Sequence, residues 1–190
     1  MNAITSLLSA FGLSTAAGLN AYLPLLTVGL LARYTNLIQL DGTYRLLTHP
    51  VVLLIIAVLA LVDFIGDKIP AVDHVLHTAG LLIAPIAGAI LFLSANSANG
   101  TVSPLLAAIC GILVAGATHS ARATARPLAT VTTAGVANPV ISFMEDASAL
   151  ALSVLAVILP VVAFLLVVVF AVLMFWLYRR LAARRAARRT

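Results

Sequence analysis

The chain has 190 residues, 63% of them hydrophobic and 9% charged, with a mean hydropathy of +1.15. Soluble domains run at about 45–50% apolar and about 25% charged, so this composition excludes a water-soluble globular fold, and its hydrophobicity excludes disorder. The formal charge of +5 is concentrated at one end, where Arg179, Arg180, Arg184, Arg185, Arg188 and Arg189 supply six of the eleven basic residues. That tail suits a topology anchor beside anionic lipid and no nucleic-acid partner. Cys110 is the single cysteine, which excludes an internal disulfide and a thiolate metal cage. At about 20 residues per span, the length allows six or seven membrane helices and no additional soluble domain.

In chain order, the N-terminus has no basic n-region and is not expected to be a cleaved signal peptide. The first apolar stretch, 4–33, is unusually long and holds Gly18, Asn20 and Pro24 in its middle. Pro24 removes a backbone donor, so the stretch is either one long kinked helix or two half-helices around a broken centre. Further apolar stretches cover 50–66 and 71–93, which meet at GDKIP, then 103–124, and finally 139–159 and 160–182, which meet at Pro160. Trp176 and Tyr178 precede the arginine tail, as in an interfacial belt. Six spans put both termini on one face. Lys68, Arg122, Arg126 and the tail then share one side, against Arg33 and Arg45 on the other. The positive-inside rule makes that an N-in/C-in arrangement.

The second half echoes the first. LTHPVVLL (47–54) resembles VANPVISF (136–143), and KIPAVDHVL (68–76) resembles ILPVVAFLL (158–166), which pairs Pro50 with Pro139 and Pro70 with Pro160. Gly12, Ala16 and Asn20 match Gly111, Ala115 and His119 at the same four-residue steps. The expectation is an all-α polytopic membrane protein of six transmembrane helices in two inverted three-helix repeats, residues 1–93 and 103–182, with a basic cytoplasmic tail at 183–190. An odd number of spans per repeat forces the inversion, and such repeats place binding sites at the midplane.

Five of the six acids, Asp63, Asp67, Asp73, Glu145 and Asp146, lie in or at the ends of these stretches. A carboxylate at the membrane centre costs on the order of 2.5–3.5 kcal/mol, so each needs a partner, a proton or water. Asp63 and Asp67 are four apart and share a helix face. Asn138, Ser142, Glu145 or Asp146, and Ser153 make a polar stripe at helical spacing. Counted from Pro50 and Pro139 at 1.5 Å per residue, Asp63 is roughly 20 Å deep and Asp146 about 10 Å from the opposite face, nearly one level in a core about 30 Å thick. Adjacent buried carboxylates repel unless a cation or proton sits between them. The competing reading is a structural network in which Lys68, Arg122 or Arg126 neutralises the acids.

His119, Arg122 and Arg126 fall on one face of the fourth stretch. Arg122 suits either an ion pair with Glu145 or Asp146, or, with Lys68, an anionic head group. Asp73, His74 and His77 offer three candidate metal ligands, without a fourth. Gly80, Ala84 and Gly88, and Ala107, Gly111 and Ala115, form small-residue faces for close helix packing, inside the bundle or across a homodimer.

GLNAYLPLL (18–26), DFIGDKIPAVD (63–73) and NPVISFMED (138–146) resemble a bacterial integral-membrane family known only as a domain of unknown function, the 4126 series, over most of the chain up to about residue 170. That resemblance implies the membrane fold and a bacterial inner-membrane location, and it supplies no activity. A more local likeness links Asp63-Phe64-Ile65-Gly66-Asp67-Lys68-Ile69 to the E-x-G-D-[KR]-[TS] helix motif of manganese/calcium–proton exchangers. The spacing here departs by one residue, the closing Ser/Thr is absent, and the second half has FMEDAS instead.

The function these features favour is a small secondary transporter or exchanger in the lipid bilayer. Asp63, Asp67, Glu145 and Asp146 would bind a cation or exchange protons, and Asn20 and His119 would line the cavity at the broken or kinked centres of spans one and four. The sequence names no cofactor, and a bound cation is the one these acids would suit. An enzyme or transporter acting on a lipid phosphate head group ranks lower, because only one Asp-x-x-x-Asp pair is present. A structural or accessory subunit is the third alternative.

Overall fold

The computed structural model describes residues 2–67, 70–97, 102–133 and 138–187, and among these every regular element is helical. The elements are α1 (Ala3–Leu19), α2 (Tyr22–Tyr34), a short 3-10 helix (Gly42–Thr48), α3 (Pro50–Gly66), α4 (Pro70–Ser97), α5 (Pro104–Thr133), α6 (Asn138–Ile158) and α7 (Pro160–Ala187). Proline opens α3, α4, α5 and α7, where its missing N–H would have had no helical partner anyway.

Val75–Ser97, Pro104–Ala125 and Asn138–Ile158 are each long and apolar enough to cross a membrane, and the 3-10 helix with α3, bent by 64°, makes a fourth if taken as one span. Large apolar side chains point outward along these helices: Leu54 is 64% exposed, Leu82 73% and Leu113 64%. In water such a surface would be untenable; against lipid tails it is the expected finish.

The interior is small and polar. Ala10, Ala16, Ala17, Ala107, Ala115, Ala149 and Ala156 are buried, together with Ser14, Ser142 and Ser153. Helices therefore approach closely, which is how membrane helices associate without a hydrophobic driving force. A Cβ on Gly111 would run into the carbonyl oxygen of Gly88 and the Cα of Ala89, and one on Gly18 would lie 2.6 Å from the carbonyl oxygen of Ala115. The small faces of α4 and α5 thus meet each other inside the bundle.

The first apolar stretch is two helices, and they fold back. Along α1, Ala10 packs with Phe92 and Ala107, Ser14 Oγ donates to the Gly88 carbonyl at 3.0 Å, Gly18 meets Thr118, and the Leu19 carbonyl reaches Arg122. So α1 runs parallel to α5, from a Phe92 end of the bundle to an Arg122 end. After Asn20 the chain returns: Val28 and residues 36–40 share a cavity with Ser6, Ser9, Leu13 and Ser94, back at the Phe92 end. Of the two forms the sequence allows for this stretch, the structure has two helices around a break, and they pack as a hairpin. α7 begins beside Gly12 through Ala163, and Phe170 and Leu173 then line a cavity with Leu19 and Arg122. The Ala3 end of α1 and the arginine end of α7 therefore lie at opposite ends of the bundle.

The directions also bear on the repeat. α3 and α6 run oppositely, the first from the neighbourhood of Gly29 toward Asn20, the second from Asp67 back to Gly12. α4 and α7 are likewise opposed. α1 and α5, however, share one direction, so the match of Gly12, Ala16 and Asn20 with Gly111, Ala115 and His119 is not an inverted one. That spacing reflects two small-residue faces packed on each other. α5 also runs unbroken through His119, where a break or kink was expected.

Candidate functional site

The break between α1 and α2 falls at Asn20 and Ala21, with Asn20 in an extended conformation (φ −144°, ψ 121°). A helix that stops inside a membrane leaves carbonyls and N–H groups without partners, each costing several kcal/mol in hydrocarbon. Here side chains supply them. Asn20 Oδ1 accepts from the N–H of Tyr22 at 3.0 Å and of Leu23 at 3.1 Å, capping α2, and Pro24 has no N–H to satisfy. At the other side of the break, Arg122 Nη1 donates to the Leu19 carbonyl at 2.6 Å, a cation at a helix C-terminus, where the dipole favours it.

The groups that close the break also gather the acids. Asn20 Nδ2 donates to Asp63 Oδ2 at 3.0 Å and to Asp146 Oδ1 at 2.9 Å. Arg122 Nη2 donates to Asp67 Oδ2 at 2.9 Å and Nε to Glu145 Oε2 at 2.7 Å. Ser142 Oγ donates to the same Asp67 oxygen at 2.9 Å. Asn20, Asp67 and Asp146 are buried, at 3%, 7% and 6% exposure. Four carboxylates thus converge on one guanidinium and one amide.

Asp63 and Asp67 reach the site from the last turn and the C-cap of α3. Glu145 and Asp146 are consecutive on α6, so one meets Arg122 on α5 while the other turns to Asn20. Arg122 pairs with Asp67 and Glu145. Ser142 and the Leu19 carbonyl were not singled out as site groups. Ser142 was legible as part of the α6 polar stripe, one turn from Glu145 and Asp146. The Leu19 carbonyl becomes available only because α1 stops there.

His119 sits on α5 beside α4. Its ring lies 4.9 Å from that of His77, its Nε2 is 3.3 Å from the His77 carbonyl oxygen, and Gly80 leaves the space it fills. Among the described residues no group of three or more His, Cys, Asp or Glu is arranged to hold a metal. The side chains of Asp73 and His74, Lys68 as a whole, and the side chain of Arg126 lie outside the described residues.

Beside Arg122 and Glu145 a cavity of about 740 Å³ opens between α5, α6 and α7, with Thr15 and Leu19 of α1 as its floor. A second cavity of about 300 Å³, at the Phe92 end, is lined by Ser6, Ser9, Ser94, Asn36 and Gln39 among others.

An all-helical bundle with lipid-facing apolar surfaces and a buried acidic centre defines a polytopic membrane protein. Residues 7–180 match the family described as a domain of unknown function (DUF4126), and the chain belongs to that family. No curated protein and no solved structure matches it significantly.

Proposed function

We propose that the protein is a small secondary transporter or exchanger of the bacterial inner membrane, whose acidic centre binds a cation or exchanges protons. The observation that carries this reading is the convergence of Asp63 and Asp146, from two different helices, on the single amide of Asn20 at a helix break. Carboxylates brought this close together in a low-dielectric interior repel one another, which favours a bound proton or cation, and a broken helix is where membrane transporters commonly hold their ions. In this reading α3 to α7 cross the membrane, the α1–α2 hairpin dips in from the outer face, and the arginine tail is cytoplasmic. The opposed pairs α3–α4 and α6–α7 would rock against each other to give alternating access.

The lipid-phosphate reading draws less support, because Arg122, the guanidinium it would use, already serves Asp67, Glu145 and the Leu19 carbonyl. The structural-subunit reading draws on the same three bonds, and experiment separates it. Purified protein in proteoliposomes, assayed for cation-driven proton movement, should lose flux in Asp63→Asn and in Asp146→Asn while both variants keep their melting temperature. Unchanged flux per folded molecule would sink the proposal. A network that only braces the bundle predicts lower stability and no flux in the parent protein either.

A further inference from the structure

We propose that the cavity at the Phe92 end of the bundle binds a small uncharged polyhydroxyl group, carried by a free polyol or by the head group of a neutral glycolipid. This site is independent of the exchanger reading. Ser9, on its wall, precedes Asn20 by eleven residues on α1, about 16 Å along the helix at 1.5 Å per residue.

The lining sets the chemistry. Ser6 and Ser9 of α1 and Ser94 of α4 are buried and line a space of about 300 Å³. Asn36 and Gln39, both exposed, stand at its rim on the non-helical segment between α2 and the 3-10 helix. That segment is held at both ends, since the Leu37 N–H donates to Thr35 Oγ1 at 3.3 Å and the Leu40 carbonyl accepts from Arg45 Nε at 3.0 Å. Hydroxyls and amides both donate and accept, which matches the hydroxyls of a polyol. Among the described residues the lining has no charged side chain. Met1 and residues 98–101, which lie outside the described residues beside the Ala3 end of α1 and the Ser97 end of α4, bring none either. An ion entering here would lose hydration without gaining a counter-charge.

Ser9 is the decisive side chain. A hydroxyl in a helix commonly turns back to the carbonyl one turn earlier, as Thr15 does to Phe11 at 2.8 Å and Ser153 to Ala149 at 2.6 Å. Ser9 does not: among the described residues its Oγ has no hydrogen-bond partner, although the residue is only 3% exposed. A buried hydroxyl on a cavity wall is thus left for whatever fills the space. Water alone fills it poorly. At about 30 Å³ each, roughly ten molecules would be needed, and those against Leu13 and Val28 would have only other waters as partners. A polyol lays its C–H groups on that apolar floor and turns its hydroxyls to the serines and the rim amides.

The test uses the full chain in a detergent without sugar head groups. Erythritol, sorbitol and myo-inositol are titrated as free probes and read by saturation-transfer NMR. Gluconate and glucamine, which keep the six-carbon chain and add a charge, are the controls. Nanodiscs containing glucosyl diacylglycerol, with retained lipid read by native mass spectrometry, represent the head-group source. The parent is compared with Ser9→Ala, Gln39→Ala and Ser9→Leu, and melting temperatures are taken without polyol, because polyols raise them for any protein. The expected result is saturable binding of a polyol or of the glycolipid. It should weaken about two- to tenfold in Ser9→Ala and in Gln39→Ala, as loss of one uncharged hydrogen bond predicts, and vanish in Ser9→Leu, which fills the space. Should Ser9→Leu not fold, the two alanine variants, which only remove atoms, decide alone. Retention of the glycolipid without binding of free polyols supports the site and places its ligand in the bilayer; the opposite pattern supports it and places the ligand in water. No saturable binding from either source overturns the inference. So does binding that ignores both alanine variants, or a charged control held as tightly as sorbitol.

Discussion

Asp63 on α3 and Asp146 on α6 accept hydrogen bonds from one nitrogen, Asn20 Nδ2, at 3.0 and 2.9 Å. The other end of the same side chain caps α2 through the N–H groups of Tyr22 and Leu23. One amide therefore joins the backbone break to the acidic centre. Neither half of that arrangement survives without it: the break would expose N–H groups, and the two carboxylates would lose their common donor.

Asn20→Asp separates these two roles. The new carboxylate can still accept from Tyr22 and Leu23, but it puts a further negative charge where the donor stood. The expected outcome is loss of flux with a moderate fall in melting temperature. Asn20→Ala removes both roles and should cost more, with about 1 kcal/mol from the cap alone and more from the lost donor to both acids. Thermal melts of the two variants in one detergent check the order. If Asn20→Ala proves as stable as the parent protein, Asn20 does not hold the break.

Arg122 is the hub of the other half. Its guanidinium is only 8% exposed at the side chain and spans Asp67, Glu145 and the Leu19 carbonyl. Removing one member of a buried ion pair typically costs about 3–5 kcal/mol, so Arg122→Met should be severely destabilised. Adding Asp67→Asn and Glu145→Gln should recover much of that loss, because the stranded charges go too. Arg122→Lys keeps the charge and forfeits the fork geometry, and should fall between. Melting temperatures of the set decide the matter, and failure of the triple variant to improve on Arg122→Met would refute the ion-pair account.

The hairpin makes a topological prediction that differs from a six-span reading. In a Cys110→Ala background, Ile4→Cys and Leu37→Cys should react with an impermeant maleimide from the same face of the membrane, and Arg180→Cys from the opposite one. Both Ile4 and Leu37 are well exposed, at 68% and 52%, so access is not limiting. Labelling of Ile4→Cys and Arg180→Cys from one face would show that the first stretch crosses after all.

Much of this was readable along the chain, for local reasons. Apolar runs of membrane length bounded by proline mark helix starts at Pro50, Pro70, Pro104 and Pro160, because proline tolerates the first turn and little else of a helix. The buried acids stand out because a carboxylate in an apolar run is costly wherever its helix sits. The Asn20–Pro24 segment signals a discontinuity, since a missing donor and a capping side chain both disfavour an unbroken helix. Those are properties of a residue and its near neighbours.

The direction of the chain after Asn20 is not such a property. Asn20 and Ala21 could equally join two collinear half-helices, and the charge count reads the same for either, since the N-terminal residues carry no basic side chain to mark their face. Packing chose the hairpin: Gly18 lets α1 close onto Ala115 and Thr118 of α5, Gly29 lets α2 close onto Leu47 and Leu53, and both fits hold only if the chain turns back. The partnering of the acids was open for the same reason. Asp67 with Arg122 and Asp63 with Asn20 join residues on different helices, and sequence spacing orders side chains within one helix while leaving the rotation of its neighbours free. Sequence by itself determined which polar groups enter the membrane; the tertiary structure decided which of them meet, because only close contact between helices fixes their relative height and rotation.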